Sequence, residues 1–342
     1  MNKNYTKILF LALTILLLSS FLPVSHATSF TENIRERINQ RREDRKEQKE
    51  IKKEEFKTSQ IEEKSIMHDG LKRKYLIHLP PHYNGNNKLP VVFAFHGGGG
   101  DMSMQSDDNK YGLISKANKE GFIAVFPNGY SKFPGGKLAT WNAGSCCGEA
   151  RDKQIDDVGF IKKVVQDITS NYASDRNRFF ATGMSNGGMF SYRLACEMSD
   201  VFKAIAPVAG TDGVANCKPK NPISILHIHA KNDTHVLFNG GAGEDAFKDK
   251  TKVTDFTSVP TTISKWASLN SCTGIPQKIL QKTGAYCEVY SSCSQGTKVQ
   301  LCVTESGGHS WPGASSVRRG KEEASQAISA NDVMWDFFSK VN

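Results

Sequence analysis

A serine between closely spaced glycines is the feature of this chain whose chemistry is easiest to specify. Residues 183–187 read GMSNG and fit the pattern G-x-S-x-G, in which a sharp turn between a strand and a helix lifts a serine hydroxyl out of a sheet. The turn leaves no room for side chains two positions before and after the serine, so glycine is required there. The apolar run 179–182 and the helical pattern 188–198 supply the expected strand and helix. We therefore predict that Ser185 is a nucleophile that an adjacent base activates.

A second glycine-rich segment, residues 96–100 with the sequence HGGGG, directly follows an apolar run. Acyl transfer passes through a tetrahedral oxyanion, which backbone N–H groups must stabilise. Glycine lets the backbone come close enough to do so. We predict that Gly97 and Gly98 supply one donor and that Asn186, the residue after the serine, supplies the other. A phosphate-binding loop is the alternative, but the glycines are not followed by the Lys-Ser/Thr pair of such loops, and His96 is expected to be structural.

The acid and the base of such a site are expected downstream of the serine, because the chain order that accompanies this turn is serine, acid, histidine. One apolar run, 223–228, leads into Asp233, and another, 299–304, leads into His309. We predict that His309 is the base and that Asp233 is the acid that orients it. The weaker alternatives for the acid are Asp212, Asp245, Asp249 and Asp255. The other candidate bases are His227 and His229, which lie in a predicted strand and are expected to be core or supporting groups, and His235, which is too close to Asp233 in sequence.

The elements that must position these side chains alternate between strands and helices. Short apolar runs predict strands at Lys74–Leu79, Val91–Phe95, Phe122–Phe126, Phe179–Thr182, Ala204–Val208, Ile223–Ile228 and Val299–Val303. Helical spacing of apolar residues follows Asp156, a good N-cap, and recurs in residues 333–338. This alternation predicts an α/β fold with a mostly parallel central sheet and helices on both faces.

Three segments of different composition follow one another along the chain. Residues 1–27 have a basic start, an apolar run and small residues at Ser25 and Ala27, and we predict a signal peptide; an uncleaved anchor is the alternative. Residues 28–64 carry 11 basic and 10 acidic side chains, which predicts a charged spacer, disordered or transiently helical. Residues 65–342 are predicted to form the catalytic domain.

Eight cysteines, an even number, follow the predicted signal peptide: Cys146, Cys147, Cys196, Cys217, Cys272, Cys287, Cys293 and Cys302. In an oxidising compartment such a set indicates up to four disulfides. Zinc is the alternative, but metal-ligand spacings are missing around these cysteines, and we predict no metal. Cys287 and Cys302 flank a predicted hairpin, with 288–290 against 299–301, and are therefore expected to pair.

The net charge of +9 does not indicate a nucleic-acid partner. Part of this charge belongs to the predicted signal peptide, and the remainder forms no basic stripe with interleaved aromatic residues. The mean hydropathy of −0.43 excludes a multi-span membrane protein. We therefore expect an exported protein without stable membrane insertion after signal cleavage, extracellular or, if the source has an outer membrane, periplasmic.

Several strings together resemble the polyhydroxybutyrate depolymerase and LpqC-like esterases, a group that includes the type D feruloyl esterases. They are HGGGGD, TWNAGSCCGEARDKQIDDVGFI, GMSNGGMFSYRLACEMSDVFKAIAPVAG, LHIHAKND and GGHSWPG. The resemblance spans roughly residues 65–342 and implies the α/β-hydrolase fold, the triad of Ser185, Asp233 and His309, and catalysis without a cofactor. It also implies that Cys272 joins Cys293 and that the four earlier cysteines pair among themselves.

The sequence departs from this family pattern at two places. Ala230 stands where many relatives have glycine. Residues 234–237 have the sequence THVL, where many relatives have an apolar pair and a proline. Cys287 and Cys302 are additional to the common pattern. The first departure concerns the loop beside the acid and therefore the fit of the substrate.

The resemblance implies a secreted serine esterase that acts on a small or polymeric ester through an acyl-enzyme. The main expectation is a polyhydroxybutyrate depolymerase-like activity on 3-hydroxybutyrate oligomers or polymer. The alternative is a feruloyl or acetyl esterase acting on plant polysaccharide such as xylan. A peptidase and an inactive surface-binding protein are the weaker alternatives.

Trp311 lies two residues after His309, so the two Cα atoms are at most ~7 Å apart. A large flat ring at this position could line the substrate groove and stack on an acyl or aromatic group. We predict that Trp311 binds substrate; the alternative is that it belongs to the core and only supports the loop.

Overall fold

The computed structural model describes residues 34–44, 61–244, 246, 254–315 and 322–341. The chain divides into two compact units, residues 1–59 and 60–342. In the first unit, residues 34–44 form a helix whose side chains are exposed. The predicted signal peptide lies outside the described residues, as does most of the predicted spacer, so both remain predictions.

The second unit is built on one ten-stranded sheet. Its strands are β1 (Ile61–His68), β2 (Leu71–His78), β3 (Leu89–Phe95), β4 (Ile123–Pro127), β5 (Ser174–Met184), β6 (Phe202–Val208), β7 (Ser224–Ala230), β8 (Gln277–Lys282), β9 (Ala285–Tyr290) and β10 (Val299–Thr304). The strand order is β1-β2-β4-β3-β5-β6-β7-β10-β9-β8. The six central strands from β4 to β10 run parallel, and the two strands at each edge are antiparallel to their neighbours.

Eight helices of the second unit lie among the described residues. They are α1 (Met102–Gln105), α2 (Asp108–Tyr111), α3 (Leu113–Glu120), α4 (Gly148–Asp152), α5 (Asp157–Asn171), α6 (Asn186–Glu197), α7 (Val259–Leu269) and α8 (Ala330–Phe338). The side chain of Asp156 caps α5 by accepting a hydrogen bond from the N–H of Gly159, as predicted. Within the described ranges, no helix is both long and apolar enough to cross a membrane.

The sheet separates two apolar layers, which explains why its central strands are apolar on both faces. Successive side chains of a strand point to opposite faces. Accordingly Phe93 and Phe95 of β3 belong to one buried cluster, with Trp141 and Phe190. The intervening Ala94 belongs to the other cluster, which α3 and α8 help to form. The predicted α/β fold, with a mostly parallel sheet covered on both faces, is confirmed.

All seven strands predicted from apolar runs are present, and β9 is the predicted hairpin partner of β10. The two outermost strands, β1 and β8, were not predicted. β1 alternates between exposed and half-buried residues, and β8 has a single side chain that is not exposed, so neither has the apolar run that marks a buried strand. Because β1 begins at Ile61 and pairs with β2 along its whole length, the folded domain begins before residue 65. The predicted boundary between spacer and domain was therefore several residues too late.

The eight cysteines form four disulfides, and the described residues contain no free cysteine. The pairs are Cys146–Cys147, Cys196–Cys217, Cys272–Cys293 and Cys287–Cys302. Cys287 of β9 lies directly opposite Cys302 of β10, which confirms the predicted hairpin and its cross-link. The pairing implied by the family resemblance is also confirmed.

Candidate active site

The segment with the sequence GMSNG forms a strained turn between a strand and a helix. β5 ends at Met184, and α6 begins at Asn186. Ser185 lies between them with φ 56° and ψ −122°, a conformation that residues with a side chain rarely adopt. Its N–H donates to the carbonyl of Val208 at 2.8 Å. The neighbouring strand thus holds the serine at the carboxyl end of the sheet.

Close packing around this turn explains its glycines. A Cβ atom on Gly187 would lie 2.2 Å from the carbonyl oxygen of Phe95, and one on Gly183 would lie 2.7 Å from the same oxygen. Gly210 is constrained in the same way, because its Cβ would lie 2.2 Å from the carbonyl oxygen of Ser185. These contacts are with backbone atoms, which cannot move aside without disturbing the strands.

Asp233 and His309 meet at the carboxyl ends of β7 and β10. The Nδ1 atom of His309 lies 2.8 Å from Oδ2 of Asp233, while Oδ1 of Asp233 accepts the N–H groups of His235 and Val236 at 2.7 and 3.0 Å. Burial alone would raise the pKa of Asp233, but His309 and the hydrogen bonds from His229 and His309 hold it well below its usual value. Asp233 is therefore an anion that can orient a neighbouring imidazole.

The glycine-rich loop after β3 lies against the serine turn. A Cβ on Gly97 would be 3.5 Å from the Cβ of Ser185, and one on Gly98 would be 3.6 Å from the Cβ of Asn186. The N–H groups of Gly99 and Gly100 donate to backbone carbonyls, whereas those of Gly97 and Gly98 have no backbone acceptor among the described residues. The geometry thus keeps beside the serine the N–H groups of Gly97 and Gly98, from which one of the two oxyanion donors is predicted.

His96 fixes this loop from within the core. Burial lowers its pKa to about 4, so its ring is neutral. Its Nε2 atom accepts the N–H of Gly129 at 2.9 Å, so Nδ1 carries the proton and donates to the carbonyl of Gly97 at 2.8 Å. The prediction that His96 is structural agrees with these contacts.

The side chain of Asn186 has a positioning function that the sequence did not reveal. It accepts the N–H of Trp141 at 2.7 Å and donates to the carbonyl of Trp141 at 3.0 Å. The indole N–H of Trp141 donates to the carbonyl of His96 at 3.1 Å. The start of α6 and the glycine-rich loop are therefore tied to the same buried tryptophan. The string TWNAG carries this residue, but its spacing from the serine gives no signal of contact.

The serine and the histidine open into one pocket of about 520 Å³. Its lining includes Gly97, Gly98, Ser185, Asn186, His235 and His309. The lining also includes larger apolar and aromatic side chains: Met104, Tyr111, Met184, Met189, Val236 and Phe256. The ring of His235 stacks on His309, with centroids 4.7 Å apart, so this residue belongs to the pocket although sequence spacing had set it aside.

Neither of the alternative acids that the structure describes, Asp212 and Asp255, lines this pocket. Asp212 is buried, accepts the indole N–H of Trp266 at 2.9 Å and pairs with Lys265 at 2.8 Å. Asp255 is exposed, and two further alternatives, Asp245 and Asp249, lie outside the described residues. Among the described residues no group of three or more histidine, cysteine or acidic side chains could hold a metal ion.

The prediction that Trp311 lines the substrate groove is wrong. Its side chain is 1% exposed, and its indole N–H donates to Asn331 at 3.1 Å. Its ring packs edge-on against Tyr111, which itself lines the pocket. Chain distance from His309 limits where the backbone of Trp311 lies but not where its ring points. The ring points into the core, where Asn331 accepts its N–H and the apolar layer around α8 packs.

The comparisons with known proteins agree with this architecture. Residues 69–312 match the family model described as "Putative esterase", and the chain belongs to this family. Together, the family and the structure define a member of an esterase family that has the α/β-hydrolase fold.

Particular relatives are feruloyl esterases. The chain is 32% identical over 243 residues to feruloyl esterase B of Piromyces equi, which covers 69% of this chain and 42% of the relative. It is 27% identical over 273 residues to feruloyl esterase C of Emericella nidulans, covering 78% and 83% of the two chains. The chain spans about half the length of the curated relatives that head the comparison.

A solved structure supports the fold alone. An acetyl xylan esterase from Aspergillus awamori superposes with a TM-score of 0.54 at 14% identity, covering 81% of this chain and 99% of that one. These relatives do not confirm that the chain is a polyhydroxybutyrate depolymerase or LpqC-like protein, as the sequence resemblance implied.

Proposed function

We propose that this protein hydrolyses feruloyl or acetyl esters of plant polysaccharide through an acyl-enzyme on Ser185. The observation that carries the proposal is the joint position of Ser185 on its strained turn and the Asp233–His309 pair, with serine and histidine in one pocket. These three residues have the chain order and the surroundings of a serine, acid and base.

Each group has a defined task in the proposed reaction. The hydroxyl of Ser185 attacks the ester carbonyl while His309 takes its proton. The N–H groups of Asn186 and of Gly97 or Gly98 stabilise the oxyanion. The tetrahedral intermediate collapses, and the proton on His309 passes to the leaving alcohol. A water molecule then attacks the acyl-enzyme by the same steps, and Asp233 orients His309 throughout.

The acyl group is proposed from the relatives and from the pocket. The relatives' names favour the feruloyl or acetyl alternative over 3-hydroxybutyrate esters. A pocket of about 520 Å³ lined by Tyr111, Phe256 and methionines is suited to a planar apolar acyl group.

The proposed place of action is outside the cell. The predicted signal peptide over residues 1–27 and four disulfides both suit an oxidising compartment. A polymeric substrate is part of the proposal, since polysaccharide esters are displayed on long chains.

The test is an ester panel on the mature protein with the Ser185→Ala variant as control. Methyl ferulate, acetylated xylan, a 3-hydroxybutyrate oligomer and a peptide anilide are compared, and a fluorophosphonate probe reports an activated serine. We expect labelling, cleavage of the first two substrates, and a loss of about 10³-fold or more in the variant. Preference for the 3-hydroxybutyrate oligomer would restore the main sequence-based expectation. Preference for the anilide would indicate a peptidase, and failure to label would indicate an inactive binding protein.

A further inference from the structure

A row of three buried side chains lies behind the acid and joins α6 to β7. Tyr192 and His227 have no exposed surface, and His229 is 1% exposed. The hydroxyl of Tyr192 lies 2.8 Å from Nδ1 of His227, and Nε2 of His227 lies 3.0 Å from Nδ1 of His229. The proposed reaction uses none of these groups, although two buried histidines in series are costly to desolvate without a function.

When His229 is neutral, the last contact of the row fixes the direction of every hydrogen bond in it. Nε2 of His229 lies 2.8 Å from the carbonyl oxygen of Val236, which can only accept, so this nitrogen carries the proton. In a neutral ring Nδ1 must then accept, and it accepts from Nε2–H of His227. Burial lowers the pKa of His227 well below its usual value, so this ring is neutral too. Its Nδ1 therefore accepts the hydroxyl proton of Tyr192.

The row ends on the carboxylate that faces His309. Nε2 of His229 is 3.3 Å from Oδ2 of Asp233, the same oxygen that lies 2.8 Å from His309. The proton of His229 is therefore shared between Asp233 and the carbonyl of Val236. The N–H of Val236 in turn donates to the other oxygen of Asp233. One imidazole thus contacts both the carboxylate and the loop that holds it.

We propose that Tyr192, His227 and His229 are positioning residues that hold Asp233 against His309 through a hydrogen-bond row of fixed direction. This inference rests on the proposed function, since it assigns the three residues to the same site. The carbonyl of Val236 sets the direction, and the hydroxyl of Tyr192 completes the row by donating to Nδ1 of His227. Without that hydroxyl, Nδ1 of His227 is a buried acceptor that has lost its donor, so the His227–His229 hydrogen bond that orients His229 is weakened.

A purely structural function for the row makes a different prediction. If the three side chains only fill the core, a substitution lowers the melting temperature and leaves kcat and KM of the folded fraction unchanged. If they position the acid, kcat falls while KM for a small ester stays constant, because the ester does not touch them. A loss of alignment at such a site costs about 10- to 100-fold in rate.

The experiment measures kcat, KM and melting temperature for His229→Ala, His229→Gln and Tyr192→Phe with p-nitrophenyl acetate. We expect kcat to fall about 10- to 100-fold in His229→Ala and about threefold to tenfold in Tyr192→Phe, with KM within about twofold. His229→Gln retains an N–H at the position of Nε2 and should recover most of the loss. The matched control is His78→Gln. His78 is a buried histidine of β2 that is bonded to Asn118 at 2.6 Å, and four strands separate β2 from β7.

A double substitution separates action through Asp233 from a general effect. The rate of fluorophosphonate labelling is compared for Asp233→Asn with and without His229→Ala. We expect the second substitution to add little, since its partner is already lost. Two results would overturn this proposal and leave the proposed function intact. One is full kcat in Tyr192→Phe, which removes one oxygen atom and should fold. The other is an undiminished effect of His229→Ala in the Asp233→Asn background. A wild-type protein that neither labels nor cleaves any ester would overturn the proposed function as well.

Discussion

At the scale of single residues, the pocket is lined by side chains that the serine motif does not predict. Tyr111 lines the pocket, and its ring rests edge-on against Trp311 at a centroid distance of 5.5 Å. Both side chains are almost fully buried, Tyr111 at 2% and Trp311 at 1% exposure, but of the two only Tyr111 borders the pocket. Tyr111 therefore forms part of the pocket wall, whereas Trp311 acts on substrate only by supporting Tyr111.

Tyr111 and Trp311 should consequently differ in their dependence on substrate. Tyr111→Ala is expected to lower kcat/KM for methyl ferulate more than for p-nitrophenyl acetate, by ~1–3 kcal/mol of transition-state binding. Trp311→Phe is expected to affect both esters equally and to lower the melting temperature, because the indole loses its partner Asn331. An ester-dependent loss in Trp311→Phe together with an unselective Tyr111→Ala would contradict this assignment.

Sequence reasoning located the proposed reacting groups but not the residues that support them, and the reason is physical. Ser185, Asp233 and His309 follow strand ends, so chain order and strand pattern suffice to find them. Tyr111 and Trp141 reach the site from connecting segments, where side-chain direction depends on tertiary packing. His227 and His229 were recognised only as core or supporting residues, because the bonds between them depend on ring orientation.

At the scale of elements, the parallel strands bring the site together. β5, β7 and β10 end at the same edge of the sheet, and the segments that follow them carry the serine, acid and histidine. The apolar runs of these strands predicted this arrangement, because a strand buried on both faces must be apolar throughout. β1 and β8 escaped prediction because edge strands are half exposed and their pattern resembles that of loops.

A buried ion pair ties β2 to the start of α5. Arg73 donates to Asp157 at 2.6 Å, and neither side chain is more than 5% exposed. Arg73→Met should lower the free energy of unfolding by about 3–5 kcal/mol, because Asp157 keeps an uncompensated buried charge. Its neighbour Lys74 forms an exposed pair with Glu63 and provides the control, since Lys74→Met should cost about 1 kcal/mol or less. Equal denaturant midpoints for the two variants would exclude this difference.

The disulfide between β9 and β10 should stabilise the sheet beside His309. It closes a loop with a sequence separation of 15, for which the loss of chain entropy in the unfolded state is worth about 3 kcal/mol. Replacing Cys287 and Cys302 together by alanine should lower thermal stability accordingly, while activity well below the melting temperature is retained. An unchanged melting temperature in calorimetry would show that strand pairing alone fixes this hairpin.

At the scale of the whole molecule, the folded domain begins with β1 rather than at residue 65. The Nε2 atom of His68 lies 3.0 Å from Asp156, and the side chain of Lys163 donates to the carbonyl of Met67 at 3.1 Å. β1 is thus attached both to β2 and to α5. The compositional change that sets the spacer apart does not coincide with the start of the fold, because β1 is itself highly charged.

Two deletions should separate the spacer from the domain. Removing residues 28–59 is expected to leave esterase activity nearly unchanged, because that segment has few apolar side chains with which to pack. Removing residues 28–68 also deletes β1 and should lower the melting temperature. Thermal unfolding and ester hydrolysis of both proteins test this, and a large loss of stability in the shorter deletion would show that the spacer docks on the domain.

Three methionines line the pocket, Met104, Met184 and Met189, and they affect its resistance to oxidation. Thioethers are flexible and polarisable, so such a lining can adapt to acyl groups of different outline. The same sulfur atoms oxidise to sulfoxides, which are polar and differently shaped. Met184 and Met189 are buried, whereas Met104 is half-buried, so brief peroxide treatment should oxidise Met104 first. Hydrolysis of an aromatic ester should then fall before the melting temperature does, with sulfoxide detectable in the peptide that contains Met104. The thioethers would then explain both the range of acyl groups that the pocket accepts and its sensitivity to oxidants.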